Sequence, residues 1–294
     1  MTVQWEGKTR GGAAGNGVFV FLLKYIGLKA AYGLLVLVAP YFVLFSPKAR
    51  EPMYFYFHRI LGFNPLKSFF YLFKNNYVFG QVLIDKVALM AGLNSRFTFE
   101  FEGEEFLHQM AADKGGFIVG SHMGNWEIAG HLLKRIKAKV HIVMLESEHE
   151  KIKTMLDEVM TQKSMHIIPI KEDLSHLFAI REAMEKNELI AIHGDRFLPG
   201  SKTVTMNLMG HEADFPAGPF SLAIKYNKPM TFISAIRKPK LHYHFYASSP
   251  KTYPSQRASF ELSLNSALSD YTLFLTKTIR QHPEQWFNYY YFWK

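Results

Sequence analysis

The chain has 294 residues, enough for one large domain with an appendage. Hydrophobic residues make up 48%, with 26 Phe, 15 Tyr and 4 Trp, which excludes a disordered chain. The absence of cysteine excludes a disulfide framework, a thiol nucleophile and Cys-type metal sites.

The formal charge of +9 is unevenly placed: residues 1–96 hold 11 basic and 3 acidic residues, a net of +8, and the other 198 hold 23 and 22, a net of +1. A nucleic-acid-binding module needs a basic face on its folded part. Here the folded part is balanced, so no nucleic-acid partner is expected.

The basic segment is also the apolar one. Residues 18–45 carry only Lys24 and Lys29 as charges, and residues 30–47 carry none. An 18-residue helix rises about 27 Å, against a hydrocarbon core of about 30 Å. The run begins late, is long for the apolar part of a signal peptide and lacks an A-x-A cleavage site. A membrane span and an in-plane anchor both fit, because Pro40 would kink a straight helix, and a buried core helix is the plainer alternative. Residues 53–90 then mix Phe, Tyr and Leu with Lys, as a membrane interface favours. We therefore divide the chain into a membrane-attachment region, residues 1–96, and a second domain, residues 97–294.

From residue 97 onward, strand-like runs alternate with helical patterns. Strands are expected at 117–121, 140–145, 166–170, 189–193, 203–209, 230–236 and 241–247. Helices are expected at 125–137, 148–163, 174–187 and 216–226, and along an apolar face running from Phe260 to Ile279. The alternation predicts an α/β fold, a mostly parallel central sheet flanked by helices.

The sharpest chemical signal follows the first of these strands, Gly120-Ser121-His122-Met123-Gly124-Asn125-Trp126-Glu127. Asn125 is a suitable N-cap for the next helix. His122 then lies on a turn at the strand's carboxyl end, where α/β sheets place their chemistry. On a regular helix residues five apart are separated by about 140°, so His122 and Glu127 meet only if the turn folds back. A carboxylate holding one imidazole nitrogen makes the other a better base.

This H-x4-E pattern resembles the signature of the lysophospholipid acyltransferase superfamily, and SHMGNWE is most similar to its late lipid A acyltransferase branch. The resemblance implies the glycerolipid acyltransferase-like α/β fold, with His122 as general base toward an acceptor hydroxyl and Glu127 as its orienting carboxylate. A second block, LIAIHGDR at 189–196, matches with Gly194, Asp195 and Arg196, whose implied task is substrate positioning. A third, MGHEADFPAGP at 209–219, matches with Phe215, Pro216, Gly218 and Pro219. Asn125 joins these as a substrate-binding candidate. Pro216 suits a helix start, and Gly218 suits close backbone approach. Pro229 and the closing PEQW at 283–286 also agree with the branch.

Two features depart from it. Residues 143–150 read VMLESEHE where an Arg usually follows the second strand, and Asp195 is followed by Arg196 and Phe197 without the branch's Gln. Both point to an acceptor other than a phosphorylated disaccharide.

The remaining histidines have plainer readings. His122, Glu127 and His131 lack a fourth ligand or an HExxH motif, so no metal is expected. His193 reads as a strand-end histidine. His211, Glu212 and Asp214 read as loop residues, and His242 and His244 as one face of an edge strand.

The expected activity is membrane-associated O-acyl transfer to a hydroxyl of a lipid A-type or related bacterial lipid. The donor is an acyl carrier protein or coenzyme A thioester, used as co-substrate with no further cofactor. The expected location is the cytoplasmic side of a bacterial inner membrane, where the basic region meets an anionic surface. The alternatives are a thioesterase or lysophospholipase using the same His and Glu on water, and a lipid-binding scaffold with a decayed site.

Overall fold

A computed structural model describes residues 21–22, 25–90, 96–128, 135, 136, 138–145, 165–171 and 173–294, without the side chains of Met90, Glu127 and Met165. Two helices open the described chain, α1 (Leu28–Phe45) and α2 (Pro47–Phe55). A π-helical turn (Tyr56–Ile60) leads on to the long α3 (Pro65–Met90). Gly27, at φ 103°, ends the preceding helical segment and starts α1, so the apolar run is not one continuous helix. Pro40 lies inside α1 without ending it.

The apolar positions of α1 divide into two faces. Leu28, Ala31, Leu35, Ala39 and Val43 recur every three or four residues and are buried. Val36, Leu37, Tyr41, Leu44 and Phe45 are exposed, Leu37 at 73% and Phe45 at 68%. Gly80 of α3 makes room for Leu35, since a Cβ at residue 80 would collide with the Leu35 side chain. Arg50 donates to the carbonyls of Val43 and Leu44, which satisfies the carboxyl end of α1.

Next come β1 (Thr98–Glu102), α4 (Glu104–Ala112), β2 (Gly116–Gly120), β3 (Val140–Leu145), β4 (Met165–Ile170), α5 (Ser175–Glu185) and β5 (Leu189–His193). They are followed by β6 (Thr203–Leu208), β7 (His211–Pro216), α6 (Gly218–Lys225), β8 (Met230–Lys238), β9 (His242–Ala247) and α7 (Phe260–Gln281).

Seven strands form one sheet in the order β1-β9-β8-β2-β5-β3-β4. All pairs are parallel except β8 with β9. The expected α/β fold with a mostly parallel sheet flanked by helices is therefore present. β2, buried along its whole length, has apolar cover on both faces, as a central parallel strand requires.

Several elements differ from expectation. Thr203–Leu208 does not join the sheet: it pairs antiparallel with His211–Pro216, a segment read as loop because of its His, Glu and Asp. The hairpin turns through Met209 and Gly210, both at positive φ, a geometry that suits the twist of a tight hairpin. Thr98–Glu102 was not expected as a strand, although it alternates polar and aromatic residues. β9 lies inside the sheet between β1 and β8, so His242 and His244 are not on an edge; they face Glu100 and Glu102 of β1.

Of the helix expected over 125–137, the described residues Trp126–Ile128 form a 3-10 turn and Arg135 and Ile136 are turn and bend, while residues 129–134 and 137 lie outside the described residues. The helix expected at 148–163 and His131 lie outside the described residues.

Candidate active site

β2 and β5 are neighbours, with Gly120 opposite His193 in their register. Each chain leaves the sheet at that level, and Gly194 N–H donates to Gly120 O at 3.0 Å. Two residues further along each strand stand His122 and Asp195. Their side chains meet, with His122 Nδ1 2.8 Å from Asp195 Oδ1. The backbone N–H of His122 donates to Asp195 Oδ2, also at 2.8 Å. Thus both carboxylate oxygens hold the same residue.

Asp195 is buried, 1% exposed. Burial alone would raise its pKa, but the His122 ring, its hydrogen bond and the Arg196 charge outweigh that and hold it well below the carboxylate range. An ionised carboxylate only accepts, so the proton of this bond sits on His122 Nδ1. Nε2 then carries the free lone pair of the imidazole.

The carboxylate on His122 is thus Asp195 among the described residues. Glu127 falls in the 3-10 turn after the motif, and its side chain is outside the described residues. Asn125 does not act as an N-cap. Its amide donates to Val82 O of α3 and to Tyr243 Oη, and the residue is 1% exposed.

The turn itself is held by backbone. Gly124, at φ 65°, sits against the carbonyl of Ala235 on β8, where a Cβ would collide. Its N–H donates to Gln285 O, and Asn125 N–H donates to Ala235 O.

The closing segment, residues 283–293, lies across this turn. Phe287 N–H donates to His122 O, and Arg196 donates from Nη2 to Phe287 O at 2.7 Å. Trp286, 1% exposed, points its Nε1 at Asp195 Oδ2 over 3.5 Å. Gln285 bridges the N–H and carbonyl of Arg237. The PEQW resemblance therefore falls on residues in contact with the site.

The other expected site residues lie under or beside it. Gly194 is required by packing, since a Cβ there would press on Val119, Phe220 and Tyr271. Phe215 is a fully buried core residue stacked edge-on against Tyr271 and Phe292. Tyr271 in turn donates to Gly120 O at 2.9 Å, supporting the strand end that carries His122. Pro216 ends β7, and Pro219 takes the place at the start of α6. Gly218 is exposed with open space around its Cα, so no close backbone approach occurs there.

Sequence reasoning missed two parts of this arrangement. One is His193, whose ring lies 4.5 Å from that of His122 and 4.6 Å from that of Trp126. Burial and the neighbouring His122 push its pKa down to about 3, so it is neutral at working pH. His122, His193 and Asp195 come within metal-ligand reach of one another. Since Asp195 and His122 Nδ1 already satisfy each other, the trio forms a hydrogen-bonded pair beside a ring.

The other is a buried ion pair, Arg237 Nε to Asp85 Oδ2 at 2.8 Å. Tyr243 donates to the same oxygen at 2.5 Å, and Tyr32 donates to the other. It joins α1 and α3 to β8 and β9, across the expected division at residue 96.

A histidine hydrogen-bonded to a carboxylate at adjacent strand ends is a pair suited to general-base chemistry. The chain belongs to the bacterial lipid A biosynthesis acyltransferase family, whose model matches residues 75–294. Among solved structures the chain matches the crystal structure of the 1-acyl-sn-glycerophosphate (LPA) acyltransferase PlsC from Thermotoga maritima, at 13% identity and a TM-score of 0.40, covering 84% of this chain and 97% of that one. Comparison with curated proteins gives no match.

Proposed function

We propose that the protein transfers a fatty acyl chain from an acyl carrier protein or coenzyme A thioester to a hydroxyl of a membrane lipid, lipid A-type or related. The observation that carries this reading is the His122–Asp195 hydrogen bond at the paired strand ends. It leaves Nε2 as the base.

The acceptor O–H gives its proton to Nε2 as its oxygen attacks the thioester carbonyl. The C–S bond of the resulting intermediate breaks, and the leaving thiolate takes the proton back from the imidazolium. Asp195 stabilises that imidazolium and fixes its tautomer. Arg196, next to Asp195 in the chain and held by the closing segment, is the candidate cation for a developing oxyanion or an acidic substrate group. The Glu127 of the family pattern is a second candidate for the orienting role.

The exposed apolar face of α1, together with the exposed Leu66 and Phe70 of α3, supports attachment to a membrane surface. Since α1 buries one stripe against the protein along its length, an in-plane seat suits it better than a free span. The cytoplasmic face of a bacterial inner membrane is where thioester donors and anionic lipid meet.

The test is incubation of purified protein with labelled acyl carrier protein and a total lipid extract, beside His122→Ala, read by mass spectrometry. One lipid gaining an acyl mass, lost in the variant, supports transfer and names the acceptor. Label released only as free fatty acid contradicts it and favours hydrolysis.

A further inference from the structure

We infer that His193 is a positioning residue that acts through the face of its ring, holding the His122 imidazole against Asp195. This rests on the proposed use of His122 as the base.

Three observations lead to it. First, the His193 ring lies 4.5 Å from the His122 ring at an interplanar angle of 35°, close enough for the two faces to pack. The Trp126 ring stands edge-on to His193 at 4.6 Å, with an interplanar angle of 83°. His193 is thus wedged between the residue it braces and the next aromatic of the same turn.

Second, a hydrogen bond from Nδ1 does not explain its place. Among the described residues Nδ1 is buried without a hydrogen-bond partner, and it is turned toward Gly120, 3.3 Å from where a Cβ would stand. A histidine placed for proton transfer would have that nitrogen in a chain of donors and acceptors. Third, Asp195 fixes only one edge of the His122 ring. Rotation about the axis of that bond remains open unless something flat lies on the face, and His193 supplies it from the adjacent strand end.

A neutral partner is needed here. When Nε2 takes the acceptor's proton, His122 becomes a cation beside His193. A second cation at 4.5 Å would oppose that step, whereas a neutral aromatic face favours it. The low pKa of His193 is consistent with this.

Two variants separate the ring from the nitrogen. His193→Phe keeps the ring and removes both nitrogens; His193→Gln keeps a polar nitrogen and removes the ring. Acyl transfer is read as kcat and KM over pH 5–9, and the His122 imidazole is titrated by NMR in the resting protein. We expect His193→Phe to stay within about threefold of wild type with the same acid limb. His193→Gln should lose about tenfold or more in kcat, with KM within twofold and a shifted His122 titration.

The reverse pattern, Gln active and Phe inactive, assigns the role to a nitrogen and overturns the inference. Both variants active, or both inactive with melting temperatures near wild type, overturn it as well. If Phe proves too large to fold, 2-thienylalanine at residue 193, a five-membered aromatic ring without nitrogen, replaces it under the same reading. Absence of transfer by the wild type itself would count against the acyl-transfer reading, while the NMR titration would still decide the role of His193.

Discussion

His122 Nδ1 lies 2.8 Å from Asp195 Oδ1, although 73 residues separate them in the chain. The juxtaposition follows from strand register. Gly120 and His193 face each other across β2 and β5, and each functional residue stands two positions beyond. A shift of one residue in that pairing would turn alternate side chains to opposite faces and part the pair. The core that fixes this register therefore also fixes the chemistry.

Gly124 has no tolerated replacement. At φ 65°, with the Ala235 carbonyl where a Cβ would stand, a Gly124→Ala protein meets a strained backbone and a backbone collision together. The left-handed conformation alone costs about 1–2 kcal/mol for a residue with a Cβ. We expect a lower melting temperature and at least a tenfold loss of turnover. An unchanged turnover would show that the turn relaxes freely.

The Asp85–Arg237 pair should bind the N-terminal helices to the sheet. Removing one partner of such a buried pair costs about 3–5 kcal/mol, because the other charge is left uncompensated. Burial opposes the Arg237 charge, and Asp85 outweighs it and holds the guanidinium protonated. Asp85→Ala is expected to lose that amount in urea denaturation. The double variant Asp85→Leu, Arg237→Met should recover a substantial part of it. Failure of the double variant to recover any would mean that the two tyrosines need the carboxylate in its own right.

Much of this was legible in the chain, but unequally. β3 and β5 have the expected bounds because short runs rich in Val, Ile and Leu, five or six residues long, suit buried strands. His122 was legible from its turn, and Asp195 from its strand end. Their pairing was not: two such strands could be placed side by side, but the H-x4-E pattern gave Glu127 to His122, and nothing local assigns Asp195 to it. β7 was hidden because His211, Glu212 and Asp214 look solvated, and they are partly so, on a two-stranded hairpin outside the sheet. Asp85 was read as part of a membrane segment. Only the fold shows that it meets Arg237, 152 residues away. His193 looked like any strand-end histidine, because a ring contact between adjacent strands leaves no trace in spacing.

Stability should fall in mild acid, and His193 should account for part of that fall. Its folded pKa, about 3, lies below the unfolded value of about 6.5. The unfolded chain therefore binds a proton between those values that the folded chain does not. Its contribution is complete above about pH 6.5 and declines, by about 1.4 kcal/mol per pH unit at most, down to about pH 3. Below about pH 4, Asp195 adds to the loss, because its folded pKa is depressed and protonation ends its bond to His122. Urea titrations of wild type and His193→Phe between pH 4 and 7 should give a shallower slope in the variant. Parallel slopes would place the acid sensitivity elsewhere.

The exposed side of α1 should govern membrane recovery without governing folding. Leu37 and Phe45 lie on its open face, so Leu37→Asp with Phe45→Asp removes apolar area and adds charge there. In vesicle sedimentation the double variant should shift largely to the supernatant, with a melting temperature within a few degrees of wild type. Unchanged pelleting would assign attachment to another surface.

The most direct measurement is the rate of acyl transfer by Asp195→Asn, beside His122→Ala and Glu127→Gln. With the His122 tautomer held by Asp195, His122→Ala and Asp195→Asn should each lower kcat by about 10²–10⁴-fold at little change in KM. Near wild-type turnover by Asp195→Asn, with Glu127→Gln inactive, would contradict the assignment and return the orienting role to Glu127.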